Sequence, residues 1–207
     1  MTTADVTVYD KISADVPVAE TSRPSILLLA TGLVSAAVLM GFTAMVGFYL
    51  SERAEYLKTA PVEEPWLNES IIPLTQPNFM LLTVGLSAVT ALWAVYSVRN
   101  DDNANAYIAI GLTILFGLSQ IAQTFFLLSL MELELASEEK AVWLYSIIGS
   151  QIALMMMAIL YLALTGLRTL GGSYSSKDYE GMASATFFWI VSGLVYVLVW
   201  YVVYITK

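Results

Sequence analysis

The sequence predicts an all-α, polytopic membrane protein with five transmembrane helices. Of its 207 residues, 58% are hydrophobic and 13% are charged, whereas about 25% of the residues in an ordinary soluble domain are charged. The mean hydropathy is +0.72. A bilayer core about 30 Å thick requires roughly 20 apolar residues per helix, and five stretches of the chain are that long and free of charge.

The five predicted helices follow one another along the chain. The first covers about 25–50 and begins just after Arg23 and Pro24, and the second covers about 79–98, behind Pro77. Proline suits a helix entrance because the first turn has no use for its missing N–H. The remaining three helices are predicted at about 106–130, 141–167 and 182–206. Because the helices take up more than half of the chain, residues 25–207 are expected to form a single transmembrane domain.

The segments outside the predicted helices are too small for a further domain. Residues 1–24 form an acidic tail that lacks the basic start and short apolar stretch of a signal peptide, so we expect a flexible, retained terminus. The connection over 51–77 combines Pro61, Pro65 and Pro73 with Trp66 and five glutamates. We expect this loop to pack along the membrane surface.

The composition excludes several kinds of chemistry in this chain. It has no histidine and no cysteine, so it cannot use thiol or histidine catalysis or supply histidine ligands to zinc, haem or copper. Its 17 acidic and 9 basic residues give a formal charge of −8. Nucleic acid and anionic lipid surfaces attract Lys and Arg, so neither is expected as the main partner. We predict no catalytic, cofactor-binding or metal-binding residue here, and any redox centre must lie in a partner chain.

The predicted membrane cores contain no charged residue. Ionisable groups inside a span usually mark a route for ions or substrate, and the nearest charges lie at helix ends, where their side chains can reach the interface. They are Glu52, Arg99, Glu132 and Arg168. A proton relay through this chain's own carboxylates is therefore not expected. A small transporter or channel is a less favoured alternative, since the number of spans is odd and no inverted repeat is detected.

Glutamine is the most informative polar residue type within the predicted spans. Gln120 and Gln123 are three residues apart on one helical face, so with Gln151 from the next helix they could form an interhelical amide network. Such amides serve most often in helix packing, with binding of lipid headgroups or water as the alternatives. On the first helix, the pairs Gly32–Ala36 and Ala37–Gly41 offer a face for close approach to a neighbour.

Positive charge gives a preference for one orientation. With five helices, the two termini lie on opposite sides, and the Lys and Arg residues divide five to four between the sides. Those on the N-terminal side are Lys11, Arg23, Arg99, Arg168 and Lys177, and those on the other side are Arg53, Lys58, Lys140 and Lys207. The positive-inside rule then places the N-terminus in the cytoplasm and the C-terminus outside.

Several motifs occur in a fixed order along the helices. Residues 48–54 read Phe-Tyr-Leu-Ser-Glu-Arg-Ala, residues 119–124 read Ser-Gln-Ile-Ala-Gln-Thr, and residues 187–193 read Phe-Phe-Trp-Ile-Val-Ser-Gly. They resemble Phe-Tyr-Phe-Ser-x-Arg-Ala, Gly-Gln-x-x-Glu-Tyr and Tyr-Trp-His-Phe-Val-Asp in subunit III of the haem-copper oxidases, the cytochrome c and quinol oxidases. The resemblance is to the short bacterial form with five helices, and it runs from about residue 27 to the C-terminus.

The chain departs from this family at its ionisable positions. The family's two glutamates fall at Val38 and Gln123, its histidines at Gln151, Leu154 and Ile190, and its last-helix aspartate at Gly193. The resemblance nevertheless implies a subunit III-like helix bundle in a prokaryotic inner membrane. Such a subunit holds no redox centre, packs against subunit I with its haems and copper beside subunit II, binds phospholipid, and sustains proton uptake.

Under the subunit III interpretation, we expect Gln120, Gln123 and Gln151 to bridge helices or to bind lipid or water, and we expect Trp189 to anchor a helix face. An accessory subunit of a nitric-oxide reductase or of another membrane enzyme is the main alternative function. Only the partner distinguishes these two functions.

Overall fold

The structure, a computed structural model, describes residues 25–59, 66, 74–131, 139–171 and 179–206. The predicted tail 1–24 and most of the predicted surface loop lie outside this part of the chain. All regular elements within it are helical, which confirms the all-α fold. The helices are α1 (Ile26–Thr59), α2 (Thr75–Arg99), α3 (Asn103–Leu130), α4 (Glu139–Leu170) and α5 (Glu180–Val199), which continues as a π-helical segment over Trp200–Ile205.

All five helices are long and apolar enough to cross a membrane, as predicted for a multi-pass membrane protein. Their ends differ from the predicted ones because hydropathy marks where a helix leaves the apolar layer and not where its hydrogen bonding stops. α1 continues to Thr59 through a segment that sequence analysis placed in a loop. That segment is rich in Glu, Ala, Leu, Lys and Arg, which all have high helix propensity. α2 starts at Thr75, so Pro77 lies in its first turn, where proline is tolerated.

α5 is the central helix of the bundle, and α1 is the peripheral one. α5 packs against α1, α2 and α4, while α2 pairs with α3 and α3 with α4. In the most apolar part of each helix, 61% of the α5 residues are buried, compared with 17% in α1. α1 therefore turns most of its surface away from the rest of the described chain.

Polar contacts tie both ends of α1 to the C-terminal part of the chain. Glu180 Oε1 accepts hydrogen bonds from the backbone N–H groups of Leu27 (2.9 Å) and Leu28 (3.2 Å). The first N–H groups of a helix have no partner within it, and the positive end of the helix dipole favours a carboxylate there. At the opposite end, Arg53 Nη1 donates to Thr206 Oγ1 at 3.0 Å. The start of α1 thus lies beside the start of α5, which gives the two helices the same direction.

A tight turn connects α2 to α3. The chain reverses at Asp101, whose φ of 54° is left-handed, a conformation that Asp adopts more readily than most residues. Asp102 then caps α3 by accepting hydrogen bonds from the backbone N–H and the side-chain amide of Asn105. These bonds, the side-chain one first, hold the pKa of Asp102 below its ordinary value. The turn sets α2 and α3 antiparallel along their whole length.

Candidate functional site

The polar interior of the described helices consists of hydroxyl and amide side chains. The buried polar residues are Thr31, Ser35, Ser87, Ser97, Thr113, Gln120, Thr124, Gln151, Thr165, Thr169, Ser184, Thr186 and Ser192. In the part of the chain that the structure describes, no Asp or Glu residues form a group of three that could hold a metal ion. The chemistry open to this interior is packing and hydrogen bonding of neutral groups.

Trp189 of α5 lies where three helices meet. Its side chain is 2% exposed, and its Nε1–H donates to Ser87 Oγ of α2 at 3.1 Å. The Ser87 hydroxyl in turn donates to the carbonyl oxygen of Val84 at 2.8 Å. The tip of the indole lies against Gly117 of α3, where an added Cβ would stand 2.5 Å from Trp189 Cη2. Trp189 therefore contacts both α2 and α3, and the absence of a side chain at Gly117 leaves room for its ring.

Gln120 of α3 and Gln151 of α4 line one small cavity of about 10 Å³. They are only 3% and 6% exposed. Gln151 Nε2 donates to the carbonyl oxygen of Ser192 on α5 at 3.5 Å, which is long for a hydrogen bond. Gln120 Nε2 and Gln151 Oε1 have no hydrogen-bond partner among the residues that the structure describes. A buried polar group without a partner costs about 1–3 kcal/mol. Among the predicted site residues, Gln120 and Gln151 are the ones with such unsatisfied atoms.

Gln123 lies apart from this cavity. It is half-buried, and its Nε2 donates to Ser119 Oγ on its own helix at 3.1 Å and to Thr83 Oγ1 of α2 at 3.3 Å. Three residues along an α-helix turn the side chain by about 60° from the starting direction, which is enough to face a different neighbour. The structure thus brings Gln120 and Gln151 together and places Gln123 at the contact between α2 and α3.

Several interhelical contacts involve residues that sequence analysis did not single out. Thr113 Oγ1 donates to Thr90 Oγ1 at 2.8 Å between α3 and α2. Tyr196 Oη donates to the carbonyl oxygen of Pro77 at 2.9 Å, and Tyr161 and Thr31 share a hydrogen bond of 3.2 Å. A threonine or tyrosine in a hydrophobic stretch shows no pattern that identifies its partner, so the sequence carries no signal for these contacts.

The small-residue face predicted on α1 has no partner within the described chain. Of its four residues, Ala36, Ala37 and Gly41 are exposed and Gly32 is half-buried, and a Cβ added to either glycine would meet no described atom within 4 Å. Close approach between helices occurs elsewhere in the fold, at Gly117 and at Gly166, whose added Cβ would stand 3.0 Å from Ile110 Cγ2. The α1 face is therefore exposed within the described chain.

Two apolar grooves lie on the outside of the bundle. One, of about 300 Å³, runs between α3 and α4 and is lined by Tyr107, Ile110, Gly111, Ile114, Ala163, Gly166 and Leu167. The other, of about 280 Å³, lies between α1, α4 and α5 and is lined by Ala30, Thr31, Val34, Met157, Tyr161 and Phe188. Both are open and almost entirely apolar, which suits hydrocarbon.

No protein-family model matches this chain, and no curated protein sequence is significantly similar to it. Its function must therefore be inferred from its own residues and from the motifs described above.

Proposed function

We propose that this chain is a non-catalytic subunit III of a respiratory haem-copper terminal oxidase in a prokaryotic inner membrane. In this role it supports the assembly and stability of the complex and sustained proton uptake, while subunits I and II perform oxygen reduction and electron entry. The family assignment rests on the ordered motifs in the helices. The structural observation that supports it most is the combination of a neutral interior with an unpartnered small-residue face on α1.

The neutral interior favours a supporting role over a catalytic one. Haem and copper centres need histidine or cysteine ligands, and this chain has neither residue. Proton relays need ionisable groups inside the membrane, and the buried polar residues that the structure describes are hydroxyls and amides. Haem and copper are accordingly assigned to the partner subunits, and this chain contributes packing surface.

The outward face of α1 supports a helical partner. In a bilayer, lipid tails are as apolar as leucine, so helices associate through close packing, and small residues permit it. Ala37, Ala44 and Ser51 recur at intervals of seven residues along this face, and all are exposed. A seven-residue interval is the repeat of left-handed helix pairing. We assign this face, together with Gly41, to contact with a transmembrane helix of the catalytic subunit.

The two outer grooves support binding of phospholipid. Each is open at the side and lined by apolar side chains, with space of about 300 Å³ and 280 Å³. The acyl chains of membrane lipids match this chemistry. We propose that lipids fill both grooves and complete the packing between α4 and its neighbours.

Purification of the tagged chain from its native membrane in a gentle detergent tests the proposal. We expect a visible spectrum with oxidase haem bands and co-purification of a catalytic subunit and a subunit II. Co-purification with a nitric-oxide reductase would support the alternative accessory function instead. A preparation without haem absorbance or a larger membrane partner would contradict both, and solute flux into liposomes containing this chain alone would indicate a transporter.

Replacement of Gly41 with leucine is expected to weaken assembly while leaving this chain folded. The new side chain would enter open space in the isolated chain but would hold a partner helix away from α1. We expect a loss of roughly tenfold in co-purified partner, since 1.4 kcal/mol of lost contact corresponds to tenfold in affinity. Gly85→Leu on α2 is the matched control, because Gly85 is equally open. Equal yields of co-purified partner from both variants would show that α1 is not part of the interface.

A further inference from the structure

We propose that the cavity between Gln120 and Gln151 is a binding site for one ordered water molecule that joins α3, α4 and α5. The site lies in the interior of this chain, so it does not depend on which partner the chain has. The unsatisfied atoms, the size of the cavity and the number of polar groups that face it support this assignment.

The unsatisfied atoms are complementary. Gln120 presents an N–H donor at Nε2 and Gln151 presents an acceptor at Oε1, and neither has a hydrogen-bond partner within the described chain although both residues are more than nine-tenths buried. One water molecule can accept from the first and donate to the second.

The cavity also has the right size and lining. Its volume of about 10 Å³ matches the roughly 10–15 Å³ that a single water molecule needs when volume is measured for water-sized probes. The Thr124 hydroxyl, which donates to the carbonyl oxygen of Gln120 at 2.8 Å, also lines the cavity and can accept the second water proton. Three polar partners are the usual number for a buried water.

Other occupants are disfavoured by the same features. The volume excludes a lipid headgroup or any organic ligand. A cation would meet the N–H group of Gln120 and a single amide oxygen, and none of the described residues that line the cavity carries a carboxylate. The remaining lining residues, Ile121, Ile152 and Met155, are apolar and would leave the two amides unsatisfied if the cavity were empty.

The position of the water gives it a structural role. Gln151 already reaches α5 through the carbonyl oxygen of Ser192, so a water between the two amides extends the hydrogen bonding from α3 across α4 to α5. Inside a bilayer there is no bulk water to satisfy such groups. The bound water replaces the direct amide contact that sequence analysis expected between the third and fourth helices.

Radiolytic footprinting of the full-length chain in lipid nanodiscs tests this site. A short X-ray pulse splits water into hydroxyl radicals, and radicals formed from a trapped water oxidise the side chains next to it. Met155 lines the cavity and is 3% exposed, whereas Met80 and Met182 are 1% and 0% exposed and do not line it. We expect Met155 to be oxidised several-fold faster than both control methionines, with each site quantified by tandem mass spectrometry.

A double variant, Gln120→Leu with Gln151→Leu, removes both amides and should bring Met155 to the rate of Met80 and Met182. Oxidation of Met155 at the control rate in the native chain would overturn the proposal, and so would a fast rate that persists in the folded double variant. If the double variant does not fold, the comparison of the three methionines in the native chain decides the question alone.

Discussion

Replacing Trp189 with alanine is expected to lower the free energy of unfolding by about 3–5 kcal/mol, the range for truncation of a large buried aromatic residue. The change removes the indole that fills the space between α2, α3 and α5 and leaves the Ser87 hydroxyl without its donor. Trp93→Ala is the matched control, because Trp93 is 37% exposed on the surface of α2. Reversible unfolding of both variants in mixed detergent micelles measures the difference.

A conservative variant separates packing from hydrogen bonding at this position. Trp189→Phe keeps most of the ring but loses the N–H, so its loss of stability should lie between those of the native chain and Trp189→Ala. Equal stability of Trp189→Ala and Trp93→Ala would show that α5 is not held through this side chain.

Replacing Gly117 with alanine is expected to destabilise the bundle by about 1–3 kcal/mol, as overpacking of a filled core does. The new Cβ would stand 2.5 Å from Trp189 Cη2 and 3.0 Å from Ile159 Cγ1, and the indole cannot retreat without breaking its bond to Ser87. Gly111→Ala on the same helix is the control. No atom of the described residues lies within 4 Å of its Cβ position, and alanine favours helix over glycine by up to about 1 kcal/mol, so this variant should not lose stability.

A double variant tests whether the indole causes the effect of the Gly117 change. Combining Gly117→Ala with Trp189→Phe shortens the ring that the new methyl group meets. The two changes together should therefore cost less than the sum of the separate changes, which is the coupling expected for residues in contact. Strict additivity, measured by the same unfolding assay, would contradict the contact.

The number, order and approximate position of the helices could be predicted from the sequence because each depends on one local property, the length of an uncharged apolar stretch. Helix ends could not, because they depend on hydrogen bonding beyond the apolar layer. The helical extension of α1 to Thr59 illustrates this: it is charged, and only its helix-forming composition indicates that the helix continues.

The partners of the polar residues were harder to predict. Gln120 and Gln151 were predicted from their residue type and Trp189 from the last-helix motif, and all three are buried. Their neighbours depend on how far each helix is rotated about its axis, which a chain hydrophobic on nearly all faces does not reveal. Gln123 shows the consequence, since it contacts Thr83 on α2 instead of Gln151 on α4.

The open face of α1 and the neutral interior have different roles: the face is available for contact with other molecules, and the interior holds the chain's own helices together. A helix whose most apolar part is 17% buried leaves a large surface for lipid or for another subunit, and the small residues on it suit a helix better than a lipid chain. Gly41→Leu tests this surface directly. The buried polar groups, by contrast, serve contacts within the chain, so substitutions there should change stability before they change assembly.

The most direct test of the supporting role is to separate the chain from its purified complex with a stronger detergent and to record the visible spectrum of each fraction. Our account predicts that all haem absorbance and the initial oxygen consumption stay with the partner fraction. The separated chain should have no absorbance above that of its aromatic residues. Haem absorbance that migrates with this chain, or complete loss of haem from the partners when it is removed, would contradict the account.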